Sequence, residues 1–261
     1  MGEFFGIPEY QRLAEGFMSW QHLLFVTILN VAMVVAAVVL GKIYKNKEAS
    51  EKNKVLIVTA ILVNFFEVSR YVVFCLRAQE LSPILYNLPL FLCGIQLIAI
   101  PIAAFSKGRL KEAALDFVLL FGVLGAVLGT YGAGQNYACY PVLSFDNVSS
   151  GLTHVISGFA SIYVATSGMV RMRLKNIWIT ISILLGFVGA ALLANQLLDY
   201  NYMFLRRGDG TPYDIIYNLV GGNPILYPIF VVGLFFVYMF AFYGIYYLAR
   251  RIKKRVYVAK I

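Results

Sequence analysis

Seven apolar stretches divide this chain, at residues 20–41, 55–76, 84–106, 113–132, 151–170, 177–197 and 225–249. Each is close to the roughly 20 residues that carry a helix across about 30 Å of hydrocarbon. Backbone amides inside lipid find no water, so a spanning segment must satisfy its own hydrogen bonds, as a helix does. The sequence therefore predicts an all-α membrane protein with seven transmembrane helices. With 60% hydrophobic and 13% charged residues and a mean hydropathy of +0.75, the chain falls outside the range of soluble domains. No internal repeat, low-complexity tract or composition break marks a second domain. The expected organisation is an N-terminal segment over 1–18, a seven-helix transmembrane domain over 19–250 and a basic tail over 251–261.

The opening MGEFFGIPEYQRLAEGF has three acids, one Arg and no apolar core, so it does not read as a cleaved secretory leader. Phe4, Phe5, Ile7, Leu13 and Phe17 suit a short amphipathic piece lying along the interface; an ordinary polar leader is the other reading. Orientation follows from the basic residues. Seventeen Lys and Arg fall in the connections after spans one, three and five and in the tail, against Arg12, Arg77, Arg206 and Arg207 on the opposite side. The positive-inside rule then places the N-terminus outside and the C-terminus in the cytoplasm. The net charge of +9 is accounted for by attraction of these residues to an anionic inner leaflet, and no nucleic-acid partner is needed to explain it.

Polar residues at membrane depth are costly and mark sites. Within the third apolar run, LPLFLCGIQL sets Pro89, Cys93, Gly94 and Gln96 close together, which a plain anchor would not need. In the second span, NFFEVSRYVVF puts Glu67 and Arg70 three residues apart on one helical face. They read either as a pair that pins helix packing or as a site in which Arg70 meets a phosphate. Cys93 is the one mid-span cysteine. Cys75 and Cys139 map to the outer edge, where pairing is possible and connectivity stays open. Of the two histidines, His22 starts the first span, while His154 lies a turn into the fifth, among Ser150, Thr153, Ser157 and Gly158. A buried Cys is usually a small packing residue; with a His nearby it supplies the minimum parts of a thiol nucleophile and its base. The outer connection at 198–224 is rich in Tyr and Asn, and long ordered loops tend to be functional. Glu67, Arg70, Asn87, Gln96, Asn201 and Tyr202 are the candidate binding residues.

Other chemistries lack their parts. The chain has no zinc-ligand spacing, no Gly-rich phosphate loop and no Ser-centred nucleophile elbow. No metal and no cofactor are expected. The seventh span contains no Lys, so a retinal Schiff base has no anchor.

LPLFLC in span three, THVISGFASIYV in span five, and NYMFL followed by GNPILYPIF before span seven together resemble the YwaF-like family of bacterial integral membrane proteins. The resemblance runs from about the second span to the seventh. Its eukaryotic relatives look like a transmembrane acyltransferase that moves fatty acyl groups onto lysophospholipids through a cysteine and a histidine. Carried over to this sequence, the resemblance implies that Cys93 accepts the acyl group and His154 is its base, with phospholipids or lysophospholipids as partners. It implies the bacterial cytoplasmic membrane as the location. Family members often read LPLHLC, and Phe91 stands here in place of that His.

At about 1.5 Å per residue, Cys93 lies nearer mid-membrane than His154 in a regular bundle. The two meet only if the third span starts late or breaks around Pro83 and Pro89. A break is expected to open a wall lined by Cys93 and Gln96. The same polar cluster also fits a carrier of lipid or small solutes that does no chemistry.

Overall fold

The computed structural model describes residues 2–258, with side chains to 252; the end of the expected tail, 259–261, lies outside the described residues. All regular structure among the described residues is helical. The helices are α1 (Gly2–Phe5), α2 (Trp20–Tyr44), α3 (Ala49–Ala78), α4 (Gln96–Phe105), α5 (Gly108–Tyr131), α6 (Gly134–Cys139), α7 (Phe145–Thr166), α8 (Ile177–Leu198), α9 (Tyr213–Leu219) and α10 (Leu226–Val258). Six stretches are long and apolar enough to cross a membrane: Trp20–Tyr44, Ala49–Ala78, Gly108–Cys139, Phe145–Thr166, Leu174–Leu198 and Leu226–Ile252. The chain forms two compact units, Met1–Phe187 and Val188–Ile261, divided within α8.

In the first unit α5 is the central element, packed against α7 and α4, with α3 against α4 and α7 and α2 against α7. Glycines let these helices approach closely. A side chain at Gly158 would strike Met33 of α2 and Ala126 of α5, and one at Gly122 would strike Ser161 of α7. Ser161 donates across this contact to the Leu119 carbonyl at 2.8 Å. Ser19 and Ser144 cap the starts of α2 and α7 by accepting the amides of His22 and Asn147. Leu24, Ile28, Val31 and Val35 of α2 and Ile61, Phe65, Val68 and Val72 of α3 stay exposed. Their spacing lines one helical face, the side expected to meet lipid.

The third predicted span is the main correction. The sequence predicts a helix over 84–106, whereas the structure has a 3-10 turn at Ser82–Tyr86, irregular backbone to Ile95, and the ten-residue helix α4. The cause is local. Pro89 has no amide and steers Leu88 away from helical angles, so the apolar run cannot continue as one helix. Its irregular part is tied to α3 instead. Tyr71 donates to the Asn87 carbonyl at 2.6 Å, and Asn87 donates to the Pro83 carbonyl at 2.8 Å.

A second proline, Pro101, sits inside α4. It cannot donate to the carbonyl of residue 97, four positions back. Asn64 of α3 supplies the missing donor, its Nδ2 lying 3.1 Å from the Leu97 oxygen and 3.0 Å from the Ala60 oxygen. At the end of α4, Asn53 donates to the Ala104 carbonyl at 2.8 Å, and Lys111 donates to the Ala103 carbonyl at 2.8 Å and to Asn53 at 2.6 Å. These side chains cap carbonyls that the helix terminus leaves free.

The N-terminal segment packs on the ends of α3 and α7. Arg77 donates to the Phe5 carbonyl through Nε at 2.9 Å and pairs with Asp146 at 2.5 Å. Tyr10 also donates to Asp146, and Phe4 and Phe5 pack against Phe145. In the second unit, α9 packs against α10 through Tyr217 on Tyr227 and Tyr213 on Phe235.

Replacing Asn64 with Leu keeps the volume and removes the donor to Leu97. We expect a loss of about 1–3 kcal/mol, the cost of an unsatisfied buried carbonyl, seen as a lower Tm in detergent. Ser69→Ala, which removes only a bond back to the Phe65 carbonyl of its own helix, should stay within about 0.5 kcal/mol of the parent. Equal Tm values for the two variants would contradict the role given to Asn64.

Candidate functional site

Cys93 sits where the irregular stretch turns into α4. Ile95 N–H donates to the Phe91 carbonyl at 3.1 Å, Gln96 N–H to the Cys93 carbonyl at 3.2 Å, and Leu97 N–H to the Gly94 carbonyl at 3.0 Å. Gly94 is held close: a side chain there would meet the Pro89 Cα at 3.1 Å. The cysteine in turn lies against α5, since a Cβ built on Gly125 would be 3.3 Å from the Cβ of Cys93.

His154 comes from α7 to the same helix face. A Cβ built on Gly129 would lie 2.2–2.5 Å from three ring atoms of His154, so the imidazole occupies the place of a missing side chain. Cys93 and His154 thus cover positions one turn apart on α5, at Gly125 and Gly129, a spacing of about 6 Å between Cβ sites. Each keeps part of its surface accessible.

Glu67 and Arg70 of α3 form a 2.8 Å ion pair, with Glu67 5% exposed. The Arg70 charge reaches both Cys93 and His154, and that of Glu67 reaches Cys93. Arg70 Nε and both amide atoms of Gln96 are buried with no partner among the described residues. Gln96 is fully buried. Such atoms also occur away from Cys93, at Asn30, Ser106, Asn147, Asn176 and Tyr227, although buried polar atoms are nearly always paired. Asn87 is different: its amide is spent on the Pro83 carbonyl.

Asn201 and Tyr202 belong to the second unit. Asn201 donates to the Arg207 carbonyl and to Asp209, both at 2.8 Å, and accepts the Arg206 amide at 2.9 Å. The Tyr202 backbone exchanges two hydrogen bonds with the Asn195 side chain. These bonds organise the 199–209 loop itself.

His22 contrasts with His154. It is fully buried, its Nδ1 accepts the Met18 amide at 3.2 Å, its Nε2 meets the Thr130 carbonyl at 3.1 Å, and its ring packs on Tyr137 at 3.9 Å. Both nitrogens are used, leaving no lone pair for chemistry. Cys75 and Cys139 are free thiols. The described residues hold no group of three His, Cys, Asp or Glu able to bind a metal.

The residues that sequence reasoning missed are Gly125 and Gly129. Their signal was present: FGVLGAVLG places Gly122, Gly125 and Gly129 at spacings of three and four, one face of a helix. In an apolar span such a face receives a neighbour.

A model of the TMEM164 family matches residues 17–246, a range that includes every residue of this site. No curated protein and no solved structure matches.

If His22 is structural, His22→Ala should lower Tm more than His154→Ala. Its loss strips the partners from the Thr130 carbonyl and the Met18 amide, at about 1–3 kcal/mol for each group left unsatisfied. The reverse order would contradict the assignment.

Proposed function

The chain belongs to the TMEM164 family, and from that premise we propose that this multi-pass membrane protein is a cysteine-dependent acyltransferase acting on phospholipid acyl chains. The observation that supports the reading is the placement of Cys93 at Gly125 and His154 at Gly129, one turn apart on the same face of α5. The resemblance of LPLFLC and THVISGFASIYV to the YwaF-like family, whose eukaryotic relatives look like an acyltransferase, supports the same two residues.

In the proposed reaction the free nitrogen of His154 takes the proton of the Cys93 thiol. The sulfur attacks the ester carbonyl carbon, a C–S bond forms and the carbonyl π pair moves onto oxygen. Collapse of that intermediate breaks the ester C–O bond. The leaving alkoxide takes the proton back from His154, releasing a lysolipid and leaving a thioester on Cys93. An acceptor alcohol reverses these steps and regains the enzyme. The Gln96 amide, unpaired and close in sequence to Cys93, is the donor assigned to the developing oxyanion. Arg70, whose Nε is unpaired, is suited to a phosphate oxygen.

The proposed topology keeps seven crossings, with the broken stretch and α4 together as the third, the N-terminus outside and the C-terminus in the cytoplasm. What supports it is the series of ties from this stretch to α3, from Tyr71 with Asn87, through Asn64 with Leu97, to Asn53 with Ala104. They run antiparallel along most of α3. The basic-residue asymmetry gives the direction.

Acyl exchange between phospholipid and lysophospholipid by purified protein tests the function. Cys93→Ser and His154→Ala are expected to lose at least about 99% of the rate, with Cys75→Ser and Cys139→Ser retaining it. Full exchange by Cys93→Ser would leave a carrier role in front. Cysteine labelling tests the topology: the 42–54 connection should react only after the membrane is permeabilised.

A further inference from the structure

The site contains two backbone features that no side-chain chemistry explains, and they lie four residues apart on one helix. Gly129 leaves a slot into which the His154 ring fits so closely that any Cβ would sit 2.2 Å from the nearest ring atom. Gly125 lies against Cys93 with its bare Cα face, a Cβ there meeting the Cys93 Cβ at 3.3 Å. In cysteine and serine nucleophile systems a third group normally orients the base. At His154 the constraint that the geometry shows is the Gly129 slot, which the ring fills.

We propose that Gly125 and Gly129 are the positioning residues of the Cys93–His154 pair. The Gly129 slot sets where the imidazole lies, and the Gly125 notch sets where the cysteine lies, one turn away on the same helix face. The inference rests on the reading of Cys93 and His154 as partners. It explains why the helix is notched at two positions rather than one: Gly125 admits the cysteine and Gly129 the histidine.

The test uses the full-length protein in detergent with Cys75 and Cys139 replaced by Ser, which leaves Cys93 as the sole thiol. The readout is the rate of Cys93 alkylation by iodoacetamide from pH 5 to pH 10. In that step the sulfur loses its proton to the base, a C–S bond forms and iodide leaves. An unassisted thiol is only a few per cent thiolate at pH 7, so loss of the base should slow alkylation there by about tenfold and move the profile to higher pH.

Gly129→Ala is expected to reproduce the slow rate and shifted profile of His154→Ala. The double variant Gly129→Ala/His154→Ala should be no slower than either. Gly186→Ala, whose Cβ meets nothing, should leave the profile unchanged. Thermal stability gives a second readout in case Gly129→Ala folds poorly. Removing the ring removes the clash, so the double variant should recover the Tm of His154→Ala. An unchanged profile in Gly129→Ala, or a double variant as unstable as Gly129→Ala, would overturn the proposal. Alkylation needs no acyl substrate, so the positioning role and acyl transfer can fail separately. Equal profiles for the parent and His154→Ala would remove the partnership on which the inference rests.

Discussion

Inside a bilayer, a proline leaves a carbonyl that only the protein itself can satisfy. In this chain the Asn64 amide meets that need at Leu97, opposite Pro101. The interaction fastens α4 to α3 partway along both. Tyr71 and Asn53 extend the attachment toward either end, and at the irregular stretch before α4 the Tyr71 hydroxyl joins Asn87 to α3.

The broken stretch is what brings Cys93 to α5. Breaking the third helix lets the cysteine approach Gly125. The helix that receives it is packed tightly on α7 through Gly122 and Gly158, so His154 is delivered to the same face by packing that exists for stability. Site and packing seam are therefore the same surface of α5. The glycines that close the seam at one level open the slots at the next.

The spanning helices were legible because twenty-residue apolar runs have few alternatives in lipid. Glu67, Arg70, Cys93, Gln96 and His154 stood out because polar groups at depth are rare. The length of α4 was not legible. An apolar run with Pro83, Pro89 and Pro101 shows that a helix is disturbed but not where it resumes, because that depends on Asn64 from another span. Asn201 and Tyr202 were conspicuous by composition, yet their hydrogen bonds serve the loop that contains them. Gly125 and Gly129 were overlooked because a glycine in a span has no chemistry of its own until the neighbour that fills its place is known. Short motifs indicated a YwaF-like grouping, and the match over most of the chain gives the TMEM164 family.

The central claim is that Cys93 carries an acyl group during turnover. The most direct measurement is the intact mass of purified protein incubated with a phospholipid of one defined acyl chain, followed by mapping of the modified peptide. The account predicts an added acyl mass on the Cys93 peptide that neutral hydroxylamine removes, as it does a thioester, and that is absent from Cys93→Ser. Acyl exchange that proceeds with no adduct on Cys93, or with the adduct on Cys75 or Cys139, would contradict it.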